Sequence, residues 1–511
     1  VPVQNAEIVL LALAVFVVVL AVLARKLQIA YPIVMVIGGA LLSLVPGLPH
    51  VRLNPDLVFL VILPPLLFSA AYQISWREFR RNLVSIFMLA FGLVGFTVYG
   101  VGGISQWLIP GMNWHSGLVL GSVIAATDAI AATATAKRLG LPRQITELLE
   151  AESLVNDGSG LVALRFTLAL TLTGATPSVA MGVGTLTYLV LMGVLIGLVT
   201  GVVVHRIQSQ ISDSSVEITI SLITPFVSYL AAEAAQCSGV LATLACGMYL
   251  ARSRDIFSVR ARIEGTAVWN TLDFVLNGLV FLLLGLQMPR ILSEIHGVTT
   301  SQLIAYGALF SAFVIALRMV CVLPGMMLAG YSRRSAFLVG WAGMRGVLAL
   351  AAAFSLPENF PQRSMIIFLT FCVIFATLVL QGLSMPVLIR QLGLIRVGTK
   401  AQDLDFARRH MIEKALEALQ TLRTSWGGQD LQVLQMLEQI YQGRLTTLQP
   451  VSGEKSALAR EENKLMKRIS AQLRQAERNA AYALRDQERI DDEVLRALQY
   501  ELDLRDVTEE V

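Results

Sequence analysis

The chain has 511 residues, 55% of them hydrophobic and 15% charged, with a formal net charge of +4. A mean hydropathy of +0.65 lies outside soluble globular composition and points to a polytopic membrane protein. So small a net charge gives no footprint for nucleic acid, and no nucleic-acid partner is expected. The four cysteines, Cys237, Cys246, Cys321 and Cys372, all lie in apolar runs without CxxC spacing. They read as small buried hydrophobes, not as a disulfide or metal framework, and no cofactor is expected.

Thirteen apolar runs are long enough to cross about 30 Å of hydrocarbon. They cover 6–24, 30–48, 54–73, 82–108, 114–137, 146–173, 179–206, 215–235, 238–251, 265–288, 301–328, 335–356 and 364–390. The first has no basic segment before it and no cleavage site after it, and reads as a retained span, not a signal peptide. Loops after odd-numbered runs carry Arg25, Lys26, Arg77, Arg80, Arg81, Lys137, Arg138, Arg143, Arg206, Arg252, Arg254, Arg260, Arg262, Arg333 and Arg334. The opposite side carries only Arg52, Arg290 and Arg363. This asymmetry places the N-terminus outside and the C-terminus in the cytoplasm. None of the five histidines is mid-run, which argues against a histidine proton relay.

The fifth run holds a lone acid, Asp128, within the Ala/Thr-rich stretch Ala126–Thr135. The sixth contains Glu152-Ser153-Leu154-Val155-Asn156-Asp157-Gly158. Ionisable groups at that depth cost about 2.5–3.5 kcal/mol each on insertion scales and are usually functional. Helical spacing stacks Ser153 with Asp157 on one face and Glu152 with Asn156 on its neighbour. The first face offers hard oxygens to a small cation or a proton. A polar knot that only locks helix packing is the plainer reading, but two acids exceed what packing needs.

Arg165, two turns beyond Asp157, reads as snorkelling to the headgroups. Glu233 ends the eighth run, either in an outer funnel or as a solvated span end. Asp273 and Asn277 share a face of the tenth and receive no role. Arg318, deep in the eleventh, needs a partner, and Glu152 is the acid assigned to it; Asp157 is then left to titrate. The twelfth contains Ala342-Gly343-Met344-Arg345-Gly346-Val347, an arginine between glycines that permit unwinding. A broken helix presents one positive and one negative end, suited to Asp128 and Arg345 respectively. Interruptions seven runs apart are consistent with runs one to six repeating, inverted, in runs eight to thirteen.

After Arg390 the composition turns polar. Residues 391–511 read as a cytosolic helical domain with three patterns. One holds Ile412, Leu416, Leu419 and Leu422 and stops at Trp426-Gly427-Gly428. A second runs from Leu431 to Leu448 and stops at Pro450. A third runs from Leu465 past Val494.

Thr127-Asp128, the Glu152–Gly158 stretch and Gly343-Met344-Arg345-Gly346 together resemble monovalent cation/proton antiporters of the NhaP and sodium/proton exchanger type. The resemblance covers residues 6–390 and not the tail. It implies an all-α homodimer with two discontinuous crossing helices. Interface helices would cover 6–73 and 179–288, and core helices 82–173 and 301–390. It implies a multi-pass protein of a bacterial-type cell membrane. Asp157 would carry the cation or proton, with Asp128, Ser153 and the Thr127 main chain coordinating Na⁺ or another monovalent cation. Asn156, Glu152, Arg318 and Arg345 would support that site. Asn156 stands where electrogenic relatives carry a second aspartate, which implies electroneutral one-to-one exchange by an elevator-type movement.

Three other classes compete with an antiporter. A channel lacks a TVGYG-like filter here. An aspartic-protease pair of Asp128 and Asp157 lacks a GxGD motif, and no enzyme activity is expected. A proton-coupled transporter of another small solute would want more aromatic side chains at the site.

Overall fold

The computed structural model describes residues 3–45, 54–74, 76–173, 179–253, 257–295, 298–394, 399–425, 431–447, 473, 475–484 and 487. Among them every regular element is a helix and no strand occurs. The chain forms two compact units, Val1–Val397 and Gly398–Val511.

The first unit follows the apolar runs. Its helices begin with α1 (Val3–Leu27), α2 (Tyr31–Leu42), α3 (Pro55–Gln73) and α4 (Leu83–Leu108). The fifth run is two helices, α5 (Trp114–Ala125) and α6 (Ile130–Leu139), and the sixth is α7 (Arg143–Thr173). Next come α8 (Val179–Gln208), α9 (Ser214–Ala234), α10 (Gly239–Arg252), α11 (Val259–Leu286) and α12 (Thr300–Leu328). The twelfth run is also divided, into α13 (Arg333–Trp341) and α14 (Val347–Phe354), and α15 (Arg363–Gln391) closes the unit.

Among the described residues, eight of these helical stretches are long and apolar enough to cross a membrane, counting α5–α6 as one; α2 and α10 are shorter apolar helices. The sequence count of thirteen runs is larger, and three of the helices show why. α7 carries Glu147, Glu150, Glu152, Asp157 and Arg165 and is too charged to qualify. α13 and α14 are each too short. The narrow gap between the eighth and ninth runs is a true break, turned by Gln236 at φ 54° and restarted by Ser238, whose hydroxyl accepts the Leu241 N–H.

Capping side chains start several helices. Asn113 accepts from the Ser116 N–H, Asp213 from Ser215 and Val216, and Ser332 from Ser335. These contacts satisfy first-turn donors that have no intrahelical partner.

Burial locates the centre. The α5–α6 stretch is 83% buried in its apolar window and α8 only 28%, so the broken helix lies inside the bundle and α8 at its periphery. Close approach supplies much of the packing where water is absent. α2 and α11 touch backbone to backbone, with Gly39 against the Leu282 carbonyl and Gly285 against the Val36 carbonyl.

In the second unit, α16 (Thr399–Ser425) and α17 (Leu431–Thr447) pack on each other. They match the first two tail patterns. The stops at Trp426-Gly427-Gly428 and Pro450 lie outside the described residues, as does most of the third pattern; only 473, 475–484 and 487 of it are described.

Gly285→Leu should lower the thermal unfolding midpoint of the detergent-solubilised protein by several degrees, since overpacking costs about 1–3 kcal/mol. Gly95→Leu, at a position with open space, should leave it near wild type.

Candidate functional site

The site is built on two breaks in the helical backbone. α5 stops at Ala125 and α6 starts at Ile130; α13 stops at Trp341 and α14 starts at Val347. Free peptide groups in hydrocarbon would each cost several kcal/mol, and here they find partners. The Asp128 N–H donates to the Met344 carbonyl at 2.8 Å, tying one break to the other. The Arg345 N–H donates to Thr377 Oγ1 at 3.1 Å, in a short π-helical segment of α15, Thr377–Gln381. Ser153 donates to the Thr127 carbonyl at 2.6 Å and accepts from the Ala129 N–H at 3.1 Å.

Charge is sorted by helix end. Half-helices expose negative C-termini and positive N-termini. At the C-terminus of α5, Arg345 Nη1 donates to the Ala125 and Ala126 carbonyls at 2.9 and 3.3 Å. At the C-terminus of α13, Arg318 donates to the Gly340 and Val339 carbonyls at 3.1 and 3.3 Å. Asp128 serves the positive ends: its Oδ1 accepts the Ile130 N–H of α6 at 2.8 Å, and its carboxylate lies against Gly346, ahead of α14. A Cβ at Gly346 would strike Asp128, and one at Gly343 would strike the Arg318 guanidinium. The glycines therefore make room for charge.

α7 turns its two polar faces to different surroundings. Glu152 and Asn156 are buried at 2% and 0% exposure. Arg318 grips Glu152 bidentately, Nη1 to Oε1 and Nη2 to Oε2, both at 3.0 Å. Thr127 Oγ1 donates to Glu152 Oε1 at 3.1 Å, and Asn156 Nδ2 donates to Thr127 Oγ1 and Glu152 Oε1 at 3.2 and 3.3 Å. Ser153 and Asp157 are half-buried and face a cavity of about 410 Å³. Thr127 and Asp128 line the same cavity. Asp157 makes no hydrogen bond or ion pair with another described residue; its carboxylate opens to the cavity. The arrangement offers carboxylate, hydroxyl and main-chain oxygens to a small hard cation, with a paired acid and two arginines directly behind.

Two sequence expectations need revision. Arg165 does not simply snorkel: its Nη2 donates to both Glu233 oxygens at 2.6 and 2.8 Å, joining α7 to α9. Glu233 is correspondingly an ion-pair partner, not a bare span end. Other residues at the site went unrecognised. Asp273 and Asn277 line the cavity, and Asp273 accepts a hydrogen bond from Ser69. Lys137 and Glu150 also line it and pair at 2.6 Å. A polar pair in an apolar run was the available signal for Asp273 and Asn277. Ser69 and Thr377 carry none, because single hydroxyls are common in apolar helices.

Comparison with known proteins finds relatives in both sequence and fold. The family model "Sodium/hydrogen exchanger, transmembrane" matches residues 11–391. An uncharacterized Na⁺/H⁺ exchanger of Mycobacterium tuberculosis is 33% identical over 98% of this chain and 95% of its own length. A sodium, potassium, lithium and rubidium/H⁺ antiporter of Bacillus pumilus is 32% identical over 82% of this chain and 66% of its own. Among solved structures, the sodium proton antiporter MjNhaP1 of Methanocaldococcus jannaschii superposes with a TM-score of 0.62 at 18% identity. It covers 76% of this chain and 99% of its own.

Removing one partner of a buried pair costs about 3–5 kcal/mol, so Glu152→Gln and Arg318→Met should each sharply reduce the yield and unfolding midpoint of the purified protein. A double-mutant cycle should show positive coupling. Recovery in the double variant should be partial, because the Gly340 and Val339 carbonyls lose Arg318 either way.

Proposed function

The chain belongs to the sodium/hydrogen exchanger family, and from that membership we propose that it exchanges a monovalent cation, Na⁺ foremost with Li⁺ or K⁺ as further substrates, for protons across a cell membrane. The observation that carries the reading is Asp157. It is a carboxylate at mid-helix, open to a cavity and unclaimed by the protein, while the neighbouring acid Glu152 is held by an arginine. The breadth of alkali cations in the name of the Bacillus relative supports a hard-oxygen site that several such ions fit.

Asp157 holds a proton or a partly dehydrated cation, never both. Asp128, Ser153 and the Thr127 main chain complete the coordination. Because Ser153 uses its proton on Thr127, its oxygen still presents a lone pair. Glu152, Asn156 and Arg318 keep α7 in register with the breaks, and Arg345 holds the α5 terminus. Asn156, neutral where a second acid would demand a second charge, supports one cation per proton and electroneutral exchange. Thirteen spans with an inverted repeat, N-terminus outside and C-terminus inside, give the transport unit. Within it α4–α7 and α12–α15 form the moving core, and α1–α3 and α8–α11 the interface of a homodimer. Alternating access follows an elevator-type displacement of that core.

The test is proton flux in proteoliposomes loaded with a pH dye, acid inside, challenged with Na⁺, Li⁺, K⁺ or choline. Alkali cations should dissipate the gradient, choline should not, and Asp157→Asn should abolish the response. No response to any alkali cation would sink the reading. Competition at one carboxylate also predicts that activity falls as the pH on the cation-binding side falls. Raising Na⁺ should shift that fall to lower pH. A rate or reversal point that follows membrane potential would exclude electroneutral exchange.

A further inference from the structure

One wall of the cavity has no part in the scheme above. Asn270, Asp273 and Asn277 are spaced three and four residues apart on α11, so they form one stripe, and all three line the cavity that holds Asp157. Apart from Thr271, α11 is otherwise apolar in this stretch, and an acid there is costly unless it is used. Asp273 is only half engaged. One carboxylate oxygen accepts from Ser69 of α3, a hydroxyl that also accepts from Gln73 Nε2 at 3.3 Å. The other oxygen is buried from bulk solvent and has no hydrogen-bond partner. Asn277 Nδ2 donates to the Asp273 main-chain carbonyl at 2.9 Å, fixing that turn. A buried carboxylate oxygen left unpaired calls for a physical reason.

We propose that Asp273 is a loading carboxylate: it draws a hydrated monovalent cation into the cavity from the wall formed by α3 and α11, and raises its concentration beside Asp157. The inference rests on the cation/proton exchange reading. The lining's one lysine, Lys137, is paired to Glu150, so Asp128, Asp157 and Asp273 leave the cavity net acidic, and such a cleft focuses field and concentrates counter-ions. Asp273 shares no hydrogen bond with Asp128 or Asp157, so it acts through the cavity as a separate station. Its contribution is to cation capture, and the step carried out at Asp157 is left as it was.

The experiment measures cation dependence of proton flux in proteoliposomes for wild type, Asp273→Asn and Asp273→Glu, at low and high ionic strength set with choline chloride. Asparagine keeps an oxygen for Ser69 and removes only the charge. Asp273→Asn should raise the KM for the cation roughly three- to tenfold at low ionic strength, with Vmax within about twofold. The gap should narrow in high salt as the charge is screened. Asp273→Glu, which keeps the charge, should hold KM near wild type. An unchanged KM in Asp273→Asn would overturn the proposal. So would a loss confined to Vmax, a KM gap indifferent to salt, or a rise in Asp273→Glu equal to that of the asparagine variant. Wild type that exchanges no cation at all would instead remove the exchange reading beneath it.

Discussion

The structure around the cavity depends on the Arg318 guanidinium. It lies at 2% exposure in the middle of α12, and its donors point two ways at once. Two reach the Glu152 carboxylate on α7, and two reach the last carbonyls of α13. A planar fork can do this; a lysine ammonium could not hold both a bidentate carboxylate and a helix terminus in fixed geometry. The pair alone would contribute little, since desolvating two ions offsets most of their attraction. Its value is positional. It sets the depth of α7 relative to the second helix break, and through Thr127 and Asn156 it sets the depth of the first.

That arrangement sorts the acids near the breaks into distinct roles. Glu152 is fully claimed. Asp128 is divided, one oxygen closing the first turn of α6 and the other lying beside Gly346. Asp157, one helical turn beyond Ser153, is left to the cavity. The difference arises from a one-residue offset on a helix. Glu152 and Asn156 turn into the bundle while Ser153 and Asp157 turn out of it. Sliding α7 by one residue would reverse the assignment, which is why so much hydrogen bonding is spent on its register.

Much of this was legible in the sequence because charge in an apolar run is rare enough to be informative. Asp128, Glu152, Asp157, Arg318 and Arg345 all announce themselves that way, and the glycines flanking Arg345 mark the break. The pairing of Glu152 with Arg318 was reachable by asking which buried acid could neutralise which buried base. Tertiary geometry hid the rest. Arg165 and Glu233 are 68 residues apart, and nothing local says that two apparently solvated charges meet. Thr377 matters because a π-helical turn brings its hydroxyl to the Arg345 amide, and one threonine in an apolar helix gives no hint of that. Asp273 was visible, but its wall of the cavity was not.

The Arg165–Glu233 pair bears on the thermodynamics of movement. It links α7, which carries Asp157, to α9, and both side chains are partly exposed at 46% and 30%. In the proposed elevator-type displacement, moving α7 along α9 would break it, and the pair would then act as a detent on one arrangement of the bundle. Exposed ion pairs contribute about 0–1 kcal/mol, which weights two arrangements by about fivefold at most. A detent that shallow holds a resting position without trapping it, and its depth diminishes as ionic strength rises.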